Sequence, residues 1–375
     1  MPEVRPKIET HANIKVVGVG GSGGNALRRM MEARIKGVDF IAINTDAQAL
    51  HYTGAPKKLH IGQNLTRGLG AGMDPAIGQQ AAEEGREEIH ELLKGADLVF
   101  ITCGFGGGTG SGGAPVISEI AKEAGALTIA VVTRPFSFEG MQRRTIAEQA
   151  VAEIQERVDA AVIIQNDRLL QIIDKRTSLL DAFLVVDDIL RQAVQGISDL
   201  ITKHGLVNVD FADVKAIMKD AGSALMGIGR AAGENRATEA AKAAINSPML
   251  EMSIEGAKGI LFNVSGGKDL GMYEVEEAAK IITEHADPNA KIIFGAVVTE
   301  DQPQEEIKIT VVATGFEQPT PEGREQPRER PAPAAVPAFT KPPERKVVPT
   351  STTPLEPKTP AEDLEVPTFI RRKMK

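Results

Sequence analysis

Gly104-Phe105-Gly106-Gly107-Gly108-Thr109-Gly110-Ser111-Gly112-Gly113-Ala114-Pro115 decides how the chain is read. Seven of these twelve residues are glycine. Ahead of them, Ala96 to Cys103 reads as a buried strand. Behind them, Val116 to Glu123 has helical periodicity. The glycines therefore stand where a strand turns into a helix. Backbone N–H groups are unpaired there and the helix dipole is positive. Without Cβ atoms the backbone can come close to a phosphate and take up positive φ. Thr109 and Ser111 add hydroxyl donors. A tight turn needs fewer glycines, so a run this long between two strong elements points to phosphate binding.

The same arrangement occurs near the start of the chain. Ile14 to Val19 reads as the first strand, Gly20-Gly21-Ser22-Gly23-Gly24-Asn25 follows, and Ala26 to Ile35 is helical in pattern. Gly18, Gly20 and Gly23 fit G-x-G-x-x-G, the dinucleotide fingerprint. A dehydrogenase-like NAD(P) site would add an acid at the end of the second strand. Phe40 to Asn44 is that strand and Asp46 lies just past it, which leaves this alternative open. Two glycine turns at one sheet edge favour more phosphates and a different cradle. A third glycine-rich stretch runs from Thr66 to Pro75 and includes Ala71 and Gly72; by pattern it is equally an ordinary loop. No G-x-x-x-x-G-K-[ST] occurs, so the chain is not a P-loop NTPase.

Strands at Leu127 to Thr133 and Ala161 to Gln165 continue the alternation of strand and helix. That predicts a parallel α/β sheet with ligands at the strands' carboxyl ends. Between them, Phe136 to Val158 is mostly helical. Glu139 and Arg143 there are spaced i, i+4, as in a surface ion pair. Ser178 to His204 reads as one long helix, apolar nearly all round, and so buried between two domains. Phe183 and Asp187 share a face of it. The aromatic fits a core position. The carboxylate on a buried helix needs a partner. Guanine offers two adjacent donors, N1–H and N2–H₂, that a carboxylate accepts together, and adenine does not. Beyond the helix, Asp210 with Asp213 three residues on resembles a capping box. Residues 222–316 have an α+β pattern, with strands at Ala224 to Arg230, Gly259 to Val264, Ile292 to Thr299 and Ile307 to Thr314. Its helices are Glu234 to Ile245 and Tyr273 to His285, and no chemical motif stands out.

The chain has 375 residues, 42% of them hydrophobic, enough for real cores in two or three domains. Its formal net charge of −8 argues against general nucleic-acid binding. Loop amides still bind a nucleotide's phosphates without lysines. Cys103 is the single cysteine, which precludes an intramolecular disulfide and fits a reducing cytoplasm. Met1 to Thr10 has no apolar core of a secretory signal, and residues 1–12 are expected to fray. No apolar run reaches membrane-spanning length, so direct membrane insertion is not expected. Residues 317–360 hold 12 of the 22 prolines and read as a disordered linker. Residues 361–375 run acidic, apolar, then basic. Leu364, Val366, Phe369 and Ile370 there suggest a partner-docking tail.

Gly106 to Gly112, Gly-Gly-Gly-Thr-Gly-Ser-Gly, resembles the signature of the tubulin/FtsZ superfamily. Gly205-x-x-Asn208-x-Asp210-x-x-Asp213 is similar to its catalytic loop. The resemblance covers about residues 13–316 and the last fourteen. It implies a Rossmann-like GTP-binding domain at 13–177, a central helix at 178–204 and an α+β domain at 205–316 carrying the catalytic loop 205–213. By this resemblance Gly20, Gly21, Ser22, Gly23, Gly24 and Asn25 form the first nucleotide loop, and relatives often have glycine where Ser22 stands. Gly107, Gly108, Thr109 and Gly110 hold phosphates, and Ala71 and Gly72 lie near the γ-phosphate. Glu139 and Arg143 contact the ribose and phosphate region, while Asn166, Phe183 and Asp187 recognise guanine. Asn208, Asp210 and Asp213 are catalytic. The ligands implied are GTP or GDP with Mg²⁺. The partners implied are further copies stacked head to tail, and tethering and regulatory division proteins at the tail. The role implied is a cytoplasmic GTPase of the bacterial division ring. An NAD(P) enzyme and a non-hydrolysing nucleotide-binding scaffold are the alternatives.

Overall fold

A computed structural model describes residues 12–170, 174, 176–202, 205–207, 209–247, 253–298 and 305–316. The expected N-terminal arm (apart from residue 12), Asn208, the linker and the docking tail lie outside the described residues.

The first half alternates strands and helices. β1 (Ile14–Val19) leads into α1 (Gly20–Glu32), and β2 (Val38–Asn44) into α2 (Ala47–Tyr52). β3 (Lys57–His60), α3 (Gln63–Thr66), α4 (Pro75–Glu84) and α5 (Arg86–Leu93) follow. β4 (Leu98–Gly104) precedes α6 (Gly108–Glu123), and β5 (Leu127–Arg134) precedes α7 (Met141–Arg157). β6 (Ala160–Gln165) and α8 (Asn166–Leu169) come before the long α9 (Leu179–Thr202). The second half has α10 (Phe211–Met218), β7 (Gly222–Ala232), α11 (Arg236–Ile245), β8 (Gly259–Gly266), α12 (Met272–Thr283), β9 (Lys291–Val298) and β10 (Glu306–Thr314).

Among the described residues, the ten strands form one sheet in the order β3-β2-β1-β4-β5-β6-β7-β10-β8-β9. The sheet is mostly parallel; only the β7–β10 and β10–β8 pairs are antiparallel. The α+β second half therefore does not build a sheet of its own. β7 pairs with β6 through Ala160↔Gly222, Ala161↔Ser223 and Val162↔Ala224.

β1, β2, β4, β5 and β6 are buried on both faces along most of their length, as the strands of a parallel sheet covered by helices must be, whereas the edge strand β3 is not. Their side chains alternate between two cores. Val16, Phe100 and Val131 join Leu27 of α1 and Leu190 and Val194 of α9 in one core. Val17, Ile101 and Val132 join Ala81 of α4, Ile117 of α6 and Ile154 of α7 in the other. A third core fills the second half around Phe262, Ile309 and Ala240. There the buried Arg236 of α11 forks onto the Glu274 carboxylate at 2.6 and 2.9 Å, and also reaches Asp269.

The structure corrects two local expectations. First, α9 is not buried all round. Val186, Leu190 and Ile197 face the core, but Leu179 and Leu180 are 61% and 70% exposed, and Asp188 and Arg191 pair on the outer side. Second, both glycine runs are largely helical. α1 starts at Gly20 rather than after Asn25, and α6 starts at Gly108 rather than at Val116. The reason is packing. A Cβ on Gly112 would stand 1.9 Å from the Pro75 carbonyl oxygen, and one on Gly78 would stand 2.2 Å from that of Gly108. So α4 and α6 touch backbone to backbone, and this contact outweighs the poor helix propensity of glycine, about 1 kcal/mol each. In the first run, a Cβ on Gly23 would meet the Thr102 carbonyl oxygen at 2.5 Å. That glycine lets α1 lie directly on β1 and β4.

Gly112→Ala is expected to destabilise the chain by about 1–3 kcal/mol through overpacking. A lowered urea midpoint with unchanged cooperativity is the measurement; an unshifted midpoint would show that α4 and α6 can part freely.

Candidate nucleotide site

The strand order reverses between β1 and β4. Ligands of open α/β sheets bind at such a point, beyond the strands' carboxyl ends. β1 and β4 pair in parallel, Gly18 beside Thr102. Each is followed by a helix whose first turn is glycine-rich, so α1 and α6 begin close together. A Cβ on Gly20, which has φ +72°, would lie 3.3 Å from the Gly110 nitrogen. The orphan N–H groups and positive dipole ends of both helices thus meet at one place.

A cleft of about 540 Å³ opens there. The expected residues Gly20, Gly21, Ser22 and Asn25 line it on one side, with Gly107, Gly108, Thr109 and Gly110 on the other. Glu139, Arg143, Asn166, Phe183 and Asp187 complete the wall. Four expected residues do not line it. Gly23 and Gly24 pack beneath the first turn, against Thr102 and Thr53. Ala71 is buried where it would meet a Cβ on Gly108, and Gly72 sits exposed with φ +57°.

Hydrogen bonds tie the cleft together. Ser22 Oγ accepts from the Gly104 N–H at 2.7 Å, joining the two glycine turns. Ser111 Oγ accepts from the Gly106 N–H at 2.9 Å. The hydroxyls of Thr109 and the buried Thr45 lie 2.6 Å apart. Arg143 pairs with Glu139 at 3.1 Å, and the other Glu139 oxygen accepts from the Phe136 N–H. Phe183 meets Phe136 edge to face at 5.6 Å, and Phe136 stacks on Phe138.

Two polar groups at the Phe183 end lack a partner. Asn166 is 5% exposed, and its Oδ1 has no hydrogen bond among the described residues. Asp187 makes no hydrogen bond or ion pair among them either. Burial pushes its carboxyl up to about 6, with Arg29 and Arg28 offsetting part of that. An orphaned buried acceptor and a half-buried carboxylate that Arg28 and Arg29 only partly offset, both facing the cleft, would be satisfied by a ligand with donors.

Sequence reasoning missed Gly104, Phe105, Thr133, Pro135, Val186 and Leu190, which also line the cleft. Gly104 and Phe105 begin the glycine run itself. Thr133 is next to last in β5, at the end where the parallel-sheet rule places ligands. Val186 and Leu190 follow Phe183 at i+3 and i+7 on one helix face.

The acids of loop 205–213 are elsewhere. α9 has 24 residues, about 36 Å. Phe183 and Asp187 lie near its start, and the loop comes after its end. The loop is anchored to β9, with Leu206 N–H donating to the Ala296 carbonyl at 2.8 Å. Asp210 is exposed and caps α10, accepting from the Asp213 N–H at 2.8 Å. Neither acid lines the cleft. Asp46 caps α2 through the Ala49 N–H at 2.9 Å, and it too is absent from the cleft wall. So it does not occupy the ribose position of a dinucleotide site. Among the described residues no group of three or more His, Cys, Asp or Glu side chains is placed to hold a metal, and no helix is long and apolar enough to cross a membrane.

The fold and cleft define an α/β protein of the nucleotide-binding class, its cleft lined in large part by the glycine-rich starts of two helices. Residues 13–174 match the family model of the Tubulin/FtsZ family GTPase domain, and residues 222–317 that of the FtsZ family C-terminal domain. An FtsZ dimer from M. jannaschii is 48% identical, with a TM-score of 0.78 over 82% of this chain and 89% of that one. CetZ2 from Haloferax volcanii, in a GTPγS-bound protofilament, shares the fold at 21% identity, with a TM-score of 0.69 over 82% of this chain and 94% of that one. The chain belongs to the tubulin/FtsZ family and is a GTPase of that family.

The sign of the Asp187 effect gives a prediction. Between its ordinary 3.8 and about 6, the folded chain holds a proton that the unfolded chain has lost. Nucleotide-free stability should therefore fall as pH rises through that window. Asp187→Asn should remove this decline and melt higher than wild type at pH 7, with no advantage near pH 3.5. Parallel pH–melting curves for the two proteins would refute the assignment.

Proposed function

We propose that this chain assembles head to tail in the presence of GTP, hydrolyses GTP at the junctions between subunits, and scaffolds a division ring at mid-cell. The observation that carries this reading is the distance between the two halves of the chemistry. The cleft lies at the start of α9, and Asp210 and Asp213 lie past its far end. These acids cannot reach the phosphates of their own subunit. They can reach those of a neighbour stacked on it. Such a contact is heterologous and does not close on itself, so it makes a filament. The dimeric state of the M. jannaschii FtsZ and the protofilament of CetZ2 support it.

Within one subunit, the N–H groups that begin α1 and α6, with the Thr109 hydroxyl, receive the phosphates. Arg143, held by Glu139, stands over the ribose and phosphate region. Asp187 accepts the N1–H and N2–H₂ of guanine, for which it must be ionised, and Asn166 faces the same base. Phe183 packs on the base plane. From the next subunit, Asp210 and Asp213 orient and polarise a water for in-line attack on the γ-phosphate. Asn208 would share that loop. Mg²⁺ would bind chiefly to phosphate oxygens and water, as that ion commonly does, and would neutralise developing charge. Among the described residues, the carboxylates on the cleft wall are Glu139, already tied to Arg143, and Asp187 at the base end. The tail at 361–375 would dock tethering and regulatory division proteins.

Specific GTPase rate should rise with protein concentration above a threshold, in step with light scattering on the same samples. A rate per molecule that is constant from dilute to assembled protein would end the shared-site reading. Asp213→Ala should keep GTP binding and assembly while losing turnover by about 10²-fold or more, in the range of removed transition-state groups. Turnover within twofold of wild type in assembled protein would remove that acid from the reaction.

A further inference from the structure

The turns that follow β5 and β6 stand side by side, because the two strands pair in parallel to their last residues, Arg134 beside Gln165. The first turn carries Phe136 and Glu139, and Glu139 pairs with Arg143. The second opens α8 with Asn166. Glu139, Arg143 and Asn166 line the cleft, and Asp167 does not. Asp167 instead joins the two turns. Its Oδ1 accepts from the Ser137 N–H at 2.8 Å, and its Oδ2 from the Ser137 hydroxyl at 2.5 Å. Both oxygens of one carboxylate are thus taken up by a single residue 30 positions away. Ser137 begins the 3₁₀ turn Ser137–Glu139. Just before it, the Phe136 N–H donates to Glu139 Oε1 at 2.9 Å, and the Phe136 ring meets Phe183. Phe136 is buried, but Ser137, Phe138 and Gly140 are exposed. Packing therefore holds only one end of this turn, and charge-assisted hydrogen bonds, which are the stronger kind, hold the rest.

We propose that Asp167 is a positioning residue for the nucleoside part of the ligand: by clamping the two turns together it sets the gap between Asn166 and the Glu139–Arg143 pair before the ligand arrives. This rests on the nucleotide reading above. A gap fixed in advance raises affinity, because less ordering is left to the binding step. The effect belongs to the base and ribose end. The glycine turns at the phosphate end have their own ties, Gly104 to Ser22 and Gly106 to Ser111, and these involve neither Asp167 nor Ser137.

The test is binding of labelled GDP to the full-length protein, with unlabelled GDP and guanosine as competitors, for wild type, Asp167→Ala, Asp167→Asn and Ser137→Ala. An asparagine amide accepts from the Ser137 N–H and donates to its hydroxyl, so that variant keeps both links. Asp167→Ala should bind GDP and guanosine about tenfold more weakly, the loss of hydrogen bonds to a charged group. Ser137→Ala keeps the N–H link and should lose about threefold, and Asp167→Asn should stay within about twofold of wild type. The ratio of GDP to guanosine affinity should be the same in all four proteins. Nucleotide-free melting of Ser137→Ala should match wild type within about 2 °C, as for an exposed substitution. Wild-type affinity in Asp167→Ala would overturn the inference. So would an Asp167→Asn protein as weak as Asp167→Ala, or a ratio that changes, since either would make Asp167 a general support. If Asp167→Ala does not fold, Ser137→Ala decides, and wild-type affinity there overturns the inference. If wild type binds no labelled GDP, the nucleotide reading itself fails and the inference falls with it, an outcome visible before any variant is made.

Discussion

Two helix N-termini are forced together at the strand reversal between β1 and β4, and the rest of the site answers to that. Parallel pairing puts the ends of β1 and β4 side by side. The helices that follow aim their positive ends and unpaired N–H groups at one volume. Like dipole ends repel, and orphan donors are poorly served by one another. A ligand rich in acceptors relieves both at once. Side chains would hold the turns apart, and so the approach is made by glycine. Gly20 faces Gly110, and Gly23 lies on Thr102. The cleft thus offers backbone donors and positive helix ends before any charged side chain is considered, a setting suited to an anion.

The other end of the cleft is organised by the opposite deficiency. Asn166 Oδ1 and the Asp187 carboxylate are acceptors without donors among the described residues. A ligand that is acceptor-rich at one end and donor-rich at the other satisfies both, and a guanine nucleotide has that polarity. The free protein carries these costs, and they are offset by cores that the cleft does not touch.

Much of this was legible in the sequence. Apolar runs mark β1, β2, β4, β5 and β6 because a strand buried on both faces has little choice of residue. The glycine runs mark the cleft because nothing else in the chain needs so many. The helix starts were not legible. Gly108 to Pro115 looks like loop by propensity, and only the contact with Pro75 and Gly78 makes it helix. The short β3 and the helices α2 to α5 carry periodicity too weak to announce them. The joining of both halves into one sheet rests on three residue pairs between β6 and β7, about sixty positions apart, and no local pattern signals such a contact. At Glu139–Arg143, Phe183 and Asp210–Asp213 the sequence allowed a local reading and a chemical one. The ion pair, the aromatic packing and the cap are all present. Arg143 and Phe183 still line the cleft, while the cap takes up Oδ1 of the Asp210 carboxylate and leaves the Asp213 carboxylate out of it.

The separation of cleft and acids is a rigid one. α9 buries Val186, Leu190, Val194 and Ile197 against the sheet along most of its length. The loop beyond it is pinned to β9 by backbone hydrogen bonds at Ala296. Bringing Asp210 to the cleft of the same molecule would require unfolding the helix that holds both halves together. Each large aliphatic side chain withdrawn from that core costs roughly 1.5–3 kcal/mol, so four of them already match the whole stability of an ordinary domain. Closing the loop onto the cleft of the same molecule by unpacking α9 would therefore be costly. Loop 205–213 and the cleft thus stand at opposite ends of α9.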